Sequence, residues 1–268
     1  MNCVLRAVVV RRVIPPIVLG VLVLLAWELL VQLAQIQPYL LPAPSAIGTQ
    51  LSLIWAGLLS AMLATGSNAL IGLAAGAVVA VVLALIASRL RFIDQLIAPV
   101  VAAIAVVPIV ALAPVLTNMF GATSETPRRL IVGIVVFVPV FVNTLRGLRQ
   151  VLPVHRDLMR AYAASPWQLT RTVTLPGAVP YIFTGLNIAS SLAVISAVVA
   201  EYFGGLQNGL GSRITSAAAN SAYPRAWAYV FGAIILGLVF YAATLLLERW
   251  AARRRCPAPH TSPAEAAR

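Results

Sequence analysis

The stretch "RDLMRAYAASPWQLTRTVTLPGAVP", Arg156 to Pro180, interrupts a chain that is otherwise mostly apolar, and its reading decides how the rest is arranged. Pro153 can open a short helix that carries Leu158 and Tyr162 four residues apart, with Met159 beside them. Ser165-Pro166 supplies a cap and first-turn pair for a second helix, expected from Trp167 to about Thr174 and ending at Leu175-Pro176. Two such helices set at an angle make an elbow. Its apolar face, Leu158, Met159, Tyr162 and Trp167, is rimmed by Arg156, Arg160 and Arg171. On pattern alone the elbow is either an amphipathic anchor in the headgroup region or a helix seated in a groove of a protein partner.

The surroundings of this stretch point to a membrane. Of the 268 residues 61% are hydrophobic and 10% charged, and several apolar runs reach the roughly 20 residues needed to cross a bilayer. Strands alternating apolar and polar are not visible, so the expected fold is an all-α membrane bundle and not a barrel. The net charge of +12 comes from arginine alone, because the chain has no lysine. A phosphate-binding Walker A loop needs that lysine, so ATP-driven work has to come from another chain. The arginines flank apolar spans and form no single soluble patch, which argues against nucleic acid as a partner. Cys3 and Cys256 are isolated, His155 and His260 are the only histidines, and the seven acids are scattered. These residues have no metal, redox or catalytic spacing, so neither an enzyme nor a metal or cofactor site is expected.

Six spans are predicted, near 13–34, 65–88, 95–117, 130–148, 178–203 and 227–248, within a permease-like domain of residues 13–250. The first run is too long for a signal peptide and no small-x-small cleavage site follows it. With residues 1–12 inside, all but four of the nineteen arginines fall on the cytoplasmic side, and both termini are cytoplasmic. The exceptions are Arg128, Arg129, Arg213 and Arg225, of which the Arg128-Arg129 pair fits worst. Between the first two spans an uncharged segment is expected to lie along the outer surface as a short helix capped by Ser45, with Ile47, Leu51, Ile54 and Leu58 on one face. Residues 251–268 read as a disordered cytoplasmic tail.

Within the bundle, Gly72 and Gly76 have the small-xxx-small spacing of close helix packing, and Pro99, Pro108, Pro114 and Pro139 are expected to kink the third and fourth spans. Counting about 10 residues from Ala178 places Asn187, Ser190 and Ser191 near the bilayer midplane. There they either line a polar pathway or hold the helix to a neighbour. Glu201, by the same count, reaches the outer interface, where it is either a solvated carboxylate or a gating group that faces substrate. Glu28, beside Trp27, is expected to find a partner within the bundle.

The loop resembles the coupling signature of ABC importer permeases: Glu-Ala-Ala, three residues, Gly, nine residues, Ile-x-Leu-Pro. Leu175-Pro176 and the spacing match, with Val173 at the Ile position, Ala163 at the Gly position, and Asp157, Leu158 and Met159 at the acidic triplet. "LLPAPSAI" from Leu40, "VFVPVFVNTLRGL" from Val136, "ASPWQLTRTVTLPGAVPYIFTGLNIA" from Ala164 and "AVVAEYFGG" followed by Gly209-Leu-Gly211 extend the likeness. They resemble the nitrate, sulfonate and taurine branch, which also holds permeases for thiamine-pyrimidine and riboflavin-like compounds. The resemblance implies a six-helix subunit of the bacterial inner membrane, working as a homodimer. It also implies a pair of cytoplasmic ATPase subunits gripping the loop at residues 153–176 and an extracytoplasmic solute-binding protein. The contact would fall on Asp157, Leu158, Met159, Arg160, Tyr162, Ala163, Ser165 and Trp167. Alanine in place of glycine at 163 would cost about 1 kcal/mol if the turn needs φ > 0, unless the turn is looser or displaced to Ala164. The competing readings are an ion-coupled secondary transporter or channel, which should show inverted repeats and ionisable mid-membrane groups, and an assembly subunit with no pathway.

Overall fold

The computed structural model describes residues 2–253. Regular structure among them is helical throughout: α1 (Asn2–Leu33), α2 (Pro44–Leu53), α3 (Trp55–Arg89), α4 (Arg91–Val106), α5 (Ile109–Phe120), α6 (Thr126–Arg149), α7 (Pro153–Ala161), α8 (Pro166–Leu169), α9 (Leu175–Tyr202), α10 (Leu210–Ala219) and α11 (Tyr223–Arg253). A π turn over Thr170–Thr174 joins α8 to α9 without interruption. Five helices are long and apolar enough to span a bilayer, and α4 with α5 makes a sixth, bent candidate.

Hydrocarbon tails are as apolar as leucine, so nothing drives such helices together except close packing and polar contacts. The chain meets that condition with small residues. α3 buries Ala61, Ala69, Ala77, Ala80 and Ala84; α6 buries Val132, Val136 and Val140; α9 buries Ala189, Ala193 and Ala197. α6 lies between α3 and α9 and packs on both more extensively than any other pair of elements. A Cβ on Gly76 would stand 2.5 Å from the carbonyl oxygen of Gly133, and one on Gly72 2.5 Å from the Cβ of Val132. The Gly72-xxx-Gly76 stripe therefore brings α3 into backbone contact with α6. Gly185 does the same for α9, where a Cβ would meet the Pro139 carbonyl oxygen and the Val140 Cα, both at 3.0 Å.

Several boundaries differ from the sequence reading. α1 starts at Asn2, so residues 2–12 belong to a helix, and α11 runs through Arg253, past the expected start of the tail. The remainder of that tail, with Cys256 and His260, lies outside the described residues. α3 begins at Trp55, about ten residues before the expected 65, because only Ile54 separates it from α2. Ser45 does not cap α2: Ala43 is the cap residue, Pro44 takes the first turn, and the Ser45 hydroxyl donates to Glu28 Oε1 at 2.8 Å. Glu28 also accepts from the Ser45 amide (3.0 Å) and from Gln32 (2.6 Å), so a carboxylate from α1 sits at the positive end of α2. Trp27 packs edge-on against Trp227, with ring centroids 5.7 Å apart.

The third span is not one rod. It breaks at Val107–Pro108 and turns by 99°, while Pro99, Pro114 and Pro139 stay inside their helices. Leu175-Pro176, conversely, ends nothing. The wider π turn before it accommodates a proline that lacks an amide donor, and threonine hydroxyls bond back to carbonyls one turn earlier, Thr170 to Pro166 (3.0 Å) and Thr172 to Gln168 (2.6 Å).

Candidate functional site

The elbow is a pair of helices joined by a tight, left-handed turn. α7 ends at Ala161; the Ala163 amide donates to the Arg160 carbonyl at 2.9 Å and the Ala164 amide to the Met159 carbonyl at 3.0 Å. Those two bonds define a Schellman turn, whose pivotal residue takes left-handed φ. That residue is Ala163, at φ +49°, so the turn is neither loosened nor moved to Ala164. Ser165 then caps α8 in a reciprocal capping box: its hydroxyl accepts from the Gln168 amide (3.3 Å) and its own amide donates to Gln168 Oε1 (2.7 Å).

Leu158, Tyr162 and Trp167 stand 52%, 75% and 67% exposed on this elbow. Met159 is partly buried and lines a cleft of about 470 Å³ between α7 and the start of α9, with His155, Val173 and Tyr181. Asp157 pairs with Arg160 at 3.2 Å along the exposed side of α7, so the shorter acid forms a local bridge. Arg89, the last residue of α3, donates to the Thr170 hydroxyl and ties the π turn to a second span. Exposed apolar side chains beside charged ones are the composition that a protein or lipid contact uses.

At the other end of α6, some 36 Å away by helix rise, lies a polar network that the sequence did not disclose. Arg128 is 2% exposed and Glu201 1% exposed. The Glu201 carboxylate accepts from the Thr65 hydroxyl (2.8 Å) and the Gly211 amide (3.0 Å), while Thr65 accepts from the Leu210 amide (2.9 Å). Together they cap α10 from outside, since Gly209 at its start has no side chain to do so. Glycine at 209 and 211 leaves the room that the Glu201 side chain fills; a Cβ at either would overlap it. Arg128 donates to Asn208 Oδ1 (2.7 Å), to the Leu206 carbonyl and to Glu125 Oε2 (3.3 Å), and stands 3.8 Å from Glu201 Oε1. Gly204 and Gly205, at φ +150° and +88°, carry the loop that returns to Arg128. Asn68 bridges Arg129 (2.9 Å) to Glu125 (2.5 Å). Burial pushes the Glu125 carboxyl up, but hydrogen bonds from Asn208 and Asn68 and the charges of Arg128 and Arg129 outweigh it and hold it below the ordinary carboxylate value.

Glu201 is thus a buried member of an ion-pair network and not a solvated interfacial acid. α10 folds over the end of α9 and covers the carboxylate. Of the midplane group, Asn187 donates to Glu248 (2.7 Å) and Ser190 accepts from Thr244 (3.2 Å), both on α11, so these two hold α9 to α11. Ser191 is half-buried and makes no such contact among the described hydrogen bonds. No cluster of three or more His, Cys, Asp or Glu side chains suited to a metal occurs among the described residues.

Residues 72–255 match the family described as binding-protein-dependent transport system inner membrane component. The chain is 31% identical over 233 residues to the riboflavin transport system permease protein RibX of Chloroflexus aurantiacus, covering 85% of each chain. It is 29% identical over 238 residues to the formylaminopyrimidine transport permease protein ThiX of Halalkalibacterium halodurans, covering 88% of this chain and 94% of the other. Against the nitrate import permease protein NrtB of Synechocystis the identity is 29% over 184 residues, 68% of this chain and 63% of that one.

Proposed function

The chain belongs to the family of binding-protein-dependent transport system inner membrane components, multi-pass permease subunits of ABC transporters, and on that premise we propose that it conducts a small polar solute inward, driven through the elbow by separate ATPase subunits. The observation that carries this reading is the exposed apolar face of Leu158, Tyr162 and Trp167, presented by a capped turn. The ATPases would hydrolyse ATP, and this chain, which has no lysine for a phosphate loop, would contribute no catalytic step. A solute-binding protein would deliver substrate at the opposite face, and two copies of the chain would enclose the pathway.

The orientation that suits the arginine bias puts both termini and the elbow in the cytoplasm and the Arg128–Glu201 network at the outer face. In that orientation the network acts as a closure of the outer end, holding α3, α6, α9 and α10 together. Elbow displacement would strain it through α9. Asn187, Ser190 and Ser191 would contribute polar helix contacts at mid-depth, with Ser191 left free to face the solute. The named relatives suggest the solute class: an oxyanion such as nitrate, or a compound of the formylaminopyrimidine or riboflavin type.

Uptake by cells carrying the complete transporter tests the coupling role. Tyr162→Glu and Trp167→Glu should abolish uptake and lose co-purification of the ATPase while membrane insertion is retained. Unimpaired uptake in both variants would remove the elbow as the site of energy input.

A further inference from the structure

A groove of about 520 Å³ runs along the outside of the bundle between α4 and the α3–α6 pair. Its floor exists because Gly76 and Gly133 bring two backbones into contact, so that Ala75 and the two glycines leave a trough where larger side chains would make a ridge. α4 forms the wall with Leu96, Val100 and Ile104. The Asp94–Arg149 ion pair, 2.5 Å long, pins one end of that wall to α6. At the other end the 99° turn at Val107–Pro108 carries the chain away as α5, which packs on α6 and α9 and leaves the groove unclosed.

All but one of the lining side chains are uncharged and apolar or glycine. The exception is Arg129, in the first turn of α6, which the orientation proposed above puts at the membrane surface. Its Nε donates to Asn68 and its charge acts on Glu125, while its terminal nitrogens have no partner among the described hydrogen bonds. By helix rise the groove extends about 12 Å from the level of Arg129 toward the membrane interior, counted from Ala75 to Leu83 on α3. An apolar trough of that length beneath one interfacial guanidinium is complementary to an acyl chain beneath a phosphate. Arginine binds phosphate by paired, charge-assisted hydrogen bonds, and a low-dielectric rim strengthens them.

We infer that this groove is a binding site for one anionic phospholipid, with a phosphate oxygen on Arg129 and an acyl chain between α4 and the α3–α6 floor. The site is separate from the elbow, shares Arg129 with the edge of the outer polar network, and does not depend on which solute is carried.

The test uses the full-length protein, delipidated in detergent and titrated with phosphatidylglycerol or phosphatidylcholine under native mass spectrometry. The protein should retain phosphatidylglycerol at least fivefold more tightly than phosphatidylcholine. Arg129→Gln should abolish that preference. Ala75→Phe, which fills the trough and leaves Arg129 in place, should weaken both lipids, and it serves as the second measurement if the Arg129 variant folds poorly. Equal retention of the two lipids, an unchanged preference in Arg129→Gln, or undiminished retention of both lipids in Ala75→Phe would overturn the site. So would efficient disulfide cross-linking between two copies carrying Val100→Cys, because a second chain would then be the occupant.

Discussion

Replacing Ala163 by glycine should stabilise the elbow, although it removes a side chain. At φ +49° an L-residue sets its Cβ against the following carbonyl, a cost of about 1–2 kcal/mol that glycine does not bear. Glycine returns part of this gain, about 0.5–1 kcal/mol, through its greater freedom in the open chain. The net expectation is a gain of about 0.5–1 kcal/mol, which corresponds to a roughly two- to fivefold smaller opening constant for the turn. The two amides that report it are those of Ala163 and Ala164, donating to Arg160 and Met159. Hydrogen exchange followed by mass spectrometry on the peptide covering 160–165, in bilayer nanodiscs, reads that constant directly. Ala163→Gly should slow exchange by the stated factor, and Ala163→Val should accelerate it, since a β-branched residue at positive φ is a backbone outlier. Exchange in the glycine variant as fast as in the parent, or faster, would refute a strained left-handed residue at this position.

Other expectations follow from the opposite end and from the core. Glu201→Leu should destabilise by about 3–5 kcal/mol, because it leaves the Arg128 charge buried with a carboxylate missing, and Glu201→Gln should cost less; thermal melting in detergent in which both variants match the parent would contradict this. Gly76→Val should force α3 and α6 apart at a cost of about 1–3 kcal/mol or more, measured as a drop in the midpoint of chemical unfolding, and an unchanged midpoint would remove the backbone contact. Glu125, with its lowered pKa, contributes stability that is fully present above the ordinary carboxylate value and is lost as pH falls through its depressed folded value. Melting temperature should therefore decline on acidification in that window, and the decline should shrink in Glu125→Gln.

The features legible in the sequence are the local ones. Ser165-Pro166 announced a cap three residues before Gln168, and the Gly72–Gly76 spacing announced a close approach, because each depends on neighbours within a turn or on the absence of a side chain. The outer network was hidden for the opposite reason. Asn68 and Glu125, Thr65 and Glu201, and Arg128 and Asn208 are partners separated by 57, 136 and 80 residues. One signal existed: Arg128-Arg129 was the exception that fitted the charge bias worst, and an arginine where topology does not call for one is held there by partners. The bend at Val107–Pro108 was obscured by its companions. Pro99 and Pro114 carry the same chemistry, and which proline breaks its helix depends on whether neighbouring helices cover the freed carbonyl.

The unbroken helix from Pro166 to Tyr202 has a mechanical consequence. It meets the backbone of Pro139 and Val140 closely at Gly185. Counted from that contact, the arm to Pro166 is about 28 Å and the arm to Glu201 about 24 Å. A rod pivoting there is a lever of the first class with a ratio near 0.8. If the elbow receives the energy input proposed above, such a rod would return its displacement at Glu201 in the opposite direction with most of its amplitude, and one helix would reverse the sense of motion between its two ends.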